Sequence, residues 1–497
     1  MNQIKTVLLL IFLSIFTLRC SLSSLEDVKK EGDLTEWALP LVDTQKSFGD
    51  LIKDFDKQSQ VEIKSDGSII LHYKGSYVAR SSFDIFSSFR NALFPITDTV
   101  MKVPLNTPRG VFVDFADVKS GVLLWGIQTR EPLDIVLKIP QLEKNGVPFY
   151  KKFTANGPYI DSIDMKGWRM TANSDLSIVI THDARRPNGE RVNLASLGLF
   201  SMKNFEFSLV KGFLGNEVFD VPEDSIKIDF FKRWQEGEIR FDNPKMTVEL
   251  DNSFGVPVRA ISRVTDVISV GGQRLSLQSP LSQGIDINYP KLNEVGQTKR
   301  TVIIFDKNNS NLADIISANP VKMEYKIDGL TNPDPAIKTI GFLTDSSKFN
   351  FQVLLDIPLT VKAKNFTFSD TVDVNLAGYE SVQAAELKIL TDNKMPIDIN
   401  LQGYFIGDGY AVIDSFYTKN SLILRGAPVN AEGLPVGIQK AENYITLDEA
   451  KFNKVRLAKK MILKYSFFTV NNGNSVVRLA ATQDVRVRMG VKFKIKK

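Results

Sequence analysis

The chain has 497 residues, of which 43% are apolar and 24% are charged, a composition typical of globular proteins. It is too long for one hydrophobic core, so its length predicts about three domains. The formal charge of +5 comes from 62 basic and 57 acidic residues. No block of Lys and Arg is concentrated enough to displace many counterions, which argues against a nucleic-acid partner.

The N-terminal stretch carries the most specific signal. Lys5 gives a basic start, and Thr6–Leu18 is an apolar run with the length of a signal peptide, too short for a membrane span. Cys20 is the only cysteine and comes just after this run, with Arg19 between them. Its position resembles the lipidation site of a bacterial lipoprotein, although Thr17 and Arg19 depart from the usual motif. We predict that Cys20 is lipidated.

A conventional secretory signal is the alternative, because Ser21-Leu22-Ser23 offers small residues at the spacing of a cleavage site. In the lipidated form, residues 1–19 are the signal peptide and residues 20–34 a polar tether. Either form predicts an exported protein. With one thiol at most, such a chain has no internal disulfide, so its cores must be stable without one.

Residues 35–105 are predicted to form a region with a helix and a hairpin. One apolar face over Thr44–Asp56 predicts a short helix. Alternating apolar residues over Val61–Tyr73, with Asp66-Gly67 between the two halves, predict a β-hairpin.

A strand, a polar turn, a proline and a second strand then follow one another three times. The prolines are Pro132, Pro257 and Pro396, and they lie 125 and 139 residues apart. This spacing predicts tandem units of similar size. The units span 106–235, 236–368 and 369–497. We therefore predict a mainly β fold of tandem antiparallel β-sandwich-like units with a few short helices. The turn and the proline recur in all three units, whereas the side chains of the loop differ. Asn252–Pro257 is therefore interpreted as a structural corner and not as a binding loop.

The second and third units agree further along the chain, whereas unit one matches them only in its first half. Unit two is predicted to continue with strand Thr301–Phe305, helix Ser310–Ala318 and strand Val321–Ile327. Unit three is predicted to continue with strand Asn443–Ile445, a helix capped by Thr446 and Glu449 that runs to about Lys459, and strand Met461–Val470.

The final strand, from Asp484 onward, has one apolar and one basic face. The basic face carries Arg486, Arg488, Lys492, Lys494 and Lys496. The favoured interpretation is a solvated edge strand protected by its charges. The alternative is a contact for lipid headgroups or an acidic partner.

Candidate catalytic groups are few. His72 lies in a predicted hairpin strand and is expected to face outward. His182-Asp183 lies in a predicted polar loop and could act as an acid–base pair, but no nucleophile motif accompanies it. Asp306–Ser310 begins like a calcium loop and then lacks the required Gly and Glu. We predict no catalytic residue, no metal site and no cofactor.

Three tryptophans could stack on sugars or lipids, and they are Trp125, Trp168 and Trp234. Tryptophans at strand ends more often pack in a core or an interface, and we predict that role for all three.

Four segments carry a family resemblance, and they are Trp37–Val42, Asp66–Tyr73, Asn252–Val258 and Met489–Val491. Together they resemble an uncharacterised Bacteroidota-type family of cell-envelope proteins that are predicted lipoproteins. The Asn-x-x-Gly-x-Pro-Val element is also weakly similar to the β-sandwich repeats of late-embryogenesis-abundant type proteins. Neither resemblance implies an activity.

These observations predict an exported, lipid-anchored, non-enzymatic binding or assembly protein of the cell envelope, on either face of the outer membrane. Its expected partners are the membrane, through the anchor, and other envelope proteins. One alternative is a lipid-binding carrier with an apolar cavity. Another is a surface protein that binds or processes carbohydrate.

Overall fold

The computed structural model describes residues 34–53, 60–81, 91–104, 110–173, 177–195, 197–219, 221–232, 234–374, 382–419 and 421–496. Within these ranges the protein is mainly β, with antiparallel sheets and a few short helices, which confirms the predicted fold class. The predicted signal peptide and Cys20 lie outside the described ranges. No helix in this part of the chain is long and apolar enough to cross a membrane.

The strands are numbered in chain order, and many alternate buried and exposed residues because one sheet face covers a core. The first five are β1 (Leu34–Ser47), β2 (Gln60–Ile63), β3 (Ile69–Ser81), β4 (Ala92–Pro95) and β5 (Val100–Pro104). There follow β6 (Val111–Gln128), β7 (Leu133–Lys144), β8 (Val147–Ala155), β9 (Pro158–Asp164), β10 (Arg169–Thr171), β11 (Ser177–Arg185), β12 (Arg191–Val192), β13 (Gly198–Leu214), β14 (Val218–Phe219), β15 (Asp224–Lys227) and β16 (Trp234–Phe241).

The remaining strands fill the second half of the chain. They begin with β17 (Lys245–Asn252), β18 (Val258–Ser269), β19 (Arg274–Ser276), β20 (Ile285–Ile287), β21 (Lys299–Phe305), β22 (Pro320–Thr331), β23 (Gly341–Thr344), β24 (Lys348–Pro358) and β25 (Thr360–Asp373). They end with β26 (Val382–Asn393), β27 (Ile397–Ile406), β28 (Val412–Ser415), β29 (Ser421–Leu424), β30 (Gln439–Leu447), β31 (Lys460–Thr469), β32 (Val477–Arg478) and β33 (Asp484–Lys496). The helices are α1 (Phe48–Lys53), α2 (Leu312–Ile316), α3 (Glu449–Val455) and the single turn α4 (Val470–Gly473).

One order of four paired strands occurs three times. It is β4-β13-β6-β9 in the first unit, β3-β24-β17-β21 in the second and β1-β33-β26-β30 in the third. A second pairing recurs beside it, between β7 and β11, β18 and β22, and β27 and β31. The strands of unit one therefore pair as those of the other two units do, although its sequence matched theirs only in part.

The paired strands of the third unit enclose an apolar core in the manner of a sandwich. Ile389 on β26 and Met489 on β33 belong to one layer, and Leu401 on β27 and Leu463 on β31 belong to the other. All four side chains are buried in the same cluster. Alternate residues of each strand point inward, so the two layers cover each other. In the first two units, the buried residues form one larger continuous core.

Strands also pair across the predicted unit boundaries. The first strand of each recurring order comes from residues 34–104, β14 and β15 pair with β22, and β23 pairs with β13. Strand β16 pairs with β25, which in turn pairs with β31. The boundaries predicted at 235/236 and 368/369 fall inside β16 and β25. The division into three units stays a prediction. In the structure, strands of one predicted unit join sheets of another.

The turn that recurs before each proline has the same hydrogen bond in all three places. The Oδ1 of Asn252 accepts from the backbone N–H of Phe254 at 2.9 Å, and the Oδ1 of Asn393 accepts from that of Met395 at 2.9 Å. Thr129 Oγ1 accepts from the N–H of Glu131 at 3.2 Å. The three accepting side chains are buried. A short polar side chain that bonds two residues ahead fixes a tight turn, so the prediction of a structural corner is confirmed.

The predicted edge position of β33 is wrong. This strand lies between β1 and β26, so its backbone is paired on both sides. Part of its basic face is neutralised by neighbouring strands, because Arg486 pairs with Asp43 at 2.6 Å and Arg488 with Asp392 at 2.8 Å. The sequence could not show this, since β1 lies at the other end of the described chain.

Two helix predictions need correction. The helix expected over Thr44–Asp56 is α1, which begins at Phe48 because β1 continues through Ser47. The predicted capping pair of Thr446 and Glu449 is also wrong, because Thr446 still belongs to β30. Asp448 caps α3 instead, with Oδ1 accepting from the N–H of Lys451 at 2.8 Å.

Candidate functional site

A cleft of about 390 Å³ lies at one end of the sheet that contains β3, β24 and β17. Its walls come from the β2–β3 turn, the start of β17, the junction of β24 and β25, and β32. Five charged side chains line it, namely Lys64, Lys245, Arg478, Asp66 and Asp356. We define these residues and their immediate partners as the polar cleft.

Strand register places the polar cleft on the outer face of the sheet. Lys245 on β17 lies opposite Asp356 on β24, and Asp356 lies opposite His72 on β3. The next residues in these strands, Met246, Leu355 and Tyr73, are buried in the core. Because side chains alternate along a strand, this buried row forces the charged row outward.

His72 links two carboxylates on the outer face of this sheet. Its Nδ1 lies 2.7 Å from Asp356 Oδ1, and its Nε2 lies 2.8 Å from Glu62 Oε2. Partial burial opposes the charged imidazole, but the two carboxylates outweigh burial and raise the pKa of His72 above 6.5. His72 faces outward as predicted, and both of its ring nitrogens are occupied by ion pairs.

Asp66 is held in the turn between β2 and β3. Its Oδ1 accepts from the N–H of Ser68 at 2.9 Å and from the Oγ of Ser68 at 2.6 Å. Arg478 is farther away, at 4.0 Å from Asp66 Oδ2. The hydrogen bonds from Ser68 and, to a smaller extent, the charge of Arg478 lower the pKa of Asp66. Asp66 is therefore a fixed carboxylate whose nearest partners are neutral.

The two lysines of the polar cleft are exposed. Neither Lys64 nor Lys245 has a carboxylate within ion-pair distance among the described residues. Asp356, the carboxylate opposite Lys245, is bound instead by His72. The walls thus carry three cations and two carboxylates, and two of the cations have no ion-pair partner in the described part of the chain.

The predicted loop around His182 is wrong. His182 lies in β11 and is 6% exposed, and its Nε2 accepts from the N–H of Leu194 at 3.3 Å. Asp183 follows it in the strand and points to the opposite face, where it pairs with Arg185 at 3.1 Å. Burial lowers the pKa of His182. The two members of the proposed acid–base pair are therefore separated by the sheet.

Core packing is confirmed for Trp125 and Trp168, both of which are buried. The ring of Trp125 meets that of Phe149 edge-on, with centroids 5.9 Å apart, and Phe149 also contacts Trp168 at 5.7 Å. Trp234 is half-buried, and its Nε1 donates to the carbonyl of Gly237 at 3.1 Å. Trp234 also packs against the core, but part of its surface stays exposed.

The segment that begins like a calcium loop is folded on itself. Asp306 Oδ1 accepts from the N–H of Asn308 at 2.8 Å, and Asn309 Nδ2 donates to the carbonyl of Ile304 at 2.9 Å. Among the described residues, no group of three or more His, Cys, Asp or Glu side chains could hold a metal ion.

The two histidines give opposite pH dependences. The raised pKa of His72 adds stability that is complete below pH 6.5 and is lost as pH rises through its folded-state pKa. The lowered pKa of His182 costs stability as pH falls below 6.5.

We expect His72→Gln to lower the free energy of unfolding by about 1 kcal/mol in mild acid and by less in mild alkali. Urea unfolding of both proteins at the two pH values measures this. The contribution of His182 cancels in this comparison, because both proteins contain it. A loss of the same size at the two pH values would therefore contradict the ion pairs assigned to His72.

Comparisons with known proteins do not assign a family. No family model matches the chain, and no curated protein matches it. A crystal structure of a "putative secreted protein" from Parabacteroides distasonis is similar at 11% identity over 92% of this chain and 99% of that chain, with a TM-score of 0.30. A chain in the structure of infectious bursal disease virus Gx strain is similar at 8% identity over 89% of this chain and 83% of that chain, with a TM-score of 0.14. At these TM-scores the similarities establish neither a shared fold nor a shared function.

Sequence reasoning missed the polar cleft. The hairpin register could have placed Glu62 and His72 on the same face as diagonal neighbours, because His72 lies opposite Gln60 and Glu62 lies opposite Ile70. Lys245, Asp356 and Arg478 belong to distant strands, so no local pattern brings them together.

Proposed function

We propose that the protein is an exported, lipid-anchored, non-enzymatic binding or assembly protein of the bacterial cell envelope. The observation that carries this proposal is Cys20, the only thiol of the chain, placed two residues after an apolar run of signal-peptide length. A thiol at that place can take a lipid, and the polar residues after it provide a tether to the folded part.

The strand exchange supports a role as a rigid scaffold. The strands of residues 34–104 are distributed over three sheets. Strands β16, β23 and β25 also pair with strands outside their own predicted unit or cross its boundary. Units that complete one another's sheets cannot separate without breaking backbone hydrogen bonds. The tethered body would therefore present its surfaces in a fixed arrangement to partners at the membrane.

The side-chain geometry supports a binding role over a catalytic one. Both ring nitrogens of His72 are taken by carboxylates. His182 is buried in a sheet, with Asp183 on the other face. A histidine that acts as a general acid or base needs a free ring nitrogen within reach of its substrate, and these two side chains are committed to the fold.

The polar cleft favours a small polar ligand over an acyl chain. An acyl carrier needs an apolar cavity, whereas the lining of this cleft includes three cations and two carboxylates beside its apolar residues. For a ligand in this cleft, a carbohydrate is therefore better supported than an acyl chain.

Crosslinking in intact cells tests the proposal. We expect the wild-type chain to be recovered from the membrane fraction with discrete crosslinked envelope proteins. Cys20→Ala should leave that fraction and lose the crosslinks, because it has no thiol for the lipid. Ser23→Ala is the matched control, since it changes a nearby small residue to alanine and keeps the thiol. A soluble, uncrosslinked wild-type chain would contradict the proposal.

A further inference from the structure

We propose that the polar cleft binds the oxyanion of a small acidic sugar, a carboxylate or phosphate group carried on a sugar-sized body. This inference rests on the proposed binding role and names its ligand class. The volume of about 390 Å³ is within the range of pockets that hold small ligands.

The charge balance of the cleft favours an anion. Lys64 and Lys245 have no carboxylate partner among the described residues, and Arg478 lies 4.0 Å from its nearest one. Asp356 is already bound by His72 at 2.7 Å. An incoming carboxylate or phosphate would therefore meet cations that are not yet paired, and Lys and Arg side chains are the usual partners of these groups.

The cleft also offers a surface for the rest of the ligand. Its accessible apolar lining includes Ile70 and Pro358, which lie opposite each other on β3 and β24 and are half-buried. The hydroxyl of Ser68 and that of Thr360 lie on the same walls. Sugar rings combine a carbon face with hydroxyl groups, so a sugar acid fits both parts of the lining better than a bare ion does.

The three cations come from parts of the chain that meet only in the folded protein. Lys64 follows β2, Lys245 begins β17, and Arg478 ends β32. Strand β32 pairs with β25 rather than with the sheet that carries the other two. A ligand held by all three would bridge two sheets of the body.

Titration calorimetry on the purified full-length chain tests the inference with three probes: galacturonate, glucose 6-phosphate and glucose. We expect both acids to bind, and glucose to bind at least about tenfold more weakly. Added salt should weaken the acids, because exposed charges are screened. The double variant K64Q/K245Q should lose at least about tenfold in affinity for the acids.

Lys203→Gln is the matched control, because Lys203 is an exposed lysine on β13, away from the cleft. The substituted lysines are exposed, so circular dichroism should show an unchanged fold. The inference is overturned if neither acid binds up to millimolar concentration, if glucose binds as tightly as the acids, or if K64Q/K245Q behaves like Lys203→Gln. Membrane anchoring does not enter this measurement, so its result is independent of the test with Cys20→Ala.

Discussion

Asn393→Asp is expected to lower the free energy of unfolding by about 4 kcal/mol. Asn393 is fully buried at the third corner, where its Nδ2 donates to the carbonyl of Met395 at 3.0 Å and to that of Arg425 at 2.8 Å. Aspartate has nearly the same shape but no N–H. It would place a carboxylate oxygen against these carbonyl oxygens in a site that water does not reach. Chemical unfolding of the two proteins measures the loss.

Asn188→Asp is the matched control for this change. Asn188 is exposed, and its Oδ1 accepts from the N–H of Glu190 at 3.0 Å, a role that a carboxylate can also fill. We expect that variant to unfold like the wild type. If Asn393→Asp were as stable as Asn188→Asp, the corner would not depend on the donor that the structure assigns to it.

Gly255→Ala is expected to cost about 3 kcal/mol. A Cβ at Gly255 would lie 2.2 Å from ring atoms of Phe342, which is itself buried. The backbones of the two residues are bonded to each other, with Gly255 N–H donating to the Phe342 carbonyl at 2.9 Å. Neither side can move without breaking this pairing or the pairing of β23 with β13. Calorimetric or chemical unfolding measures the loss.

Gly271→Ala provides the comparison, since a Cβ there would meet only the Oγ of Ser269, at 3.8 Å. We expect a change close to zero in that variant. If both variants lost little stability, the corner of unit two would have space for a Cβ at Gly255, which would contradict the close contact with Phe342.

The strand content and the corners follow from local sequence patterns. Met246, Val248 and Leu250 alternate with polar residues, and β17 buries these three side chains. Asn252 and Asn393 precede turns, and their side chains make the short-range bonds that define those turns. Such features depend on neighbours within a few residues, so one sequence contains the needed information.

Pairings between distant strands could not be predicted in this way. The basic face of β33 is typical of an edge strand, and only the presence of β1 beside it makes the strand internal. His182 is followed by charged and turn residues that indicate a loop, yet the alternation over Ser177–Arg185 places it in a buried strand. The same cause hid the polar cleft, because Lys245 and Arg478 approach Lys64 only through sheet pairing.

The mass of the N-terminal peptide of the mature protein, purified from cell envelopes, tests the proposed anchoring most directly. Our account predicts a peptide that begins at Cys20 and carries a diacylglyceryl group on the thiol. A mature chain that begins at Ser24 without lipid would contradict the anchor and support the conventional secretory signal. A chain that retains Met1 would contradict the cleavage of a signal peptide in either form.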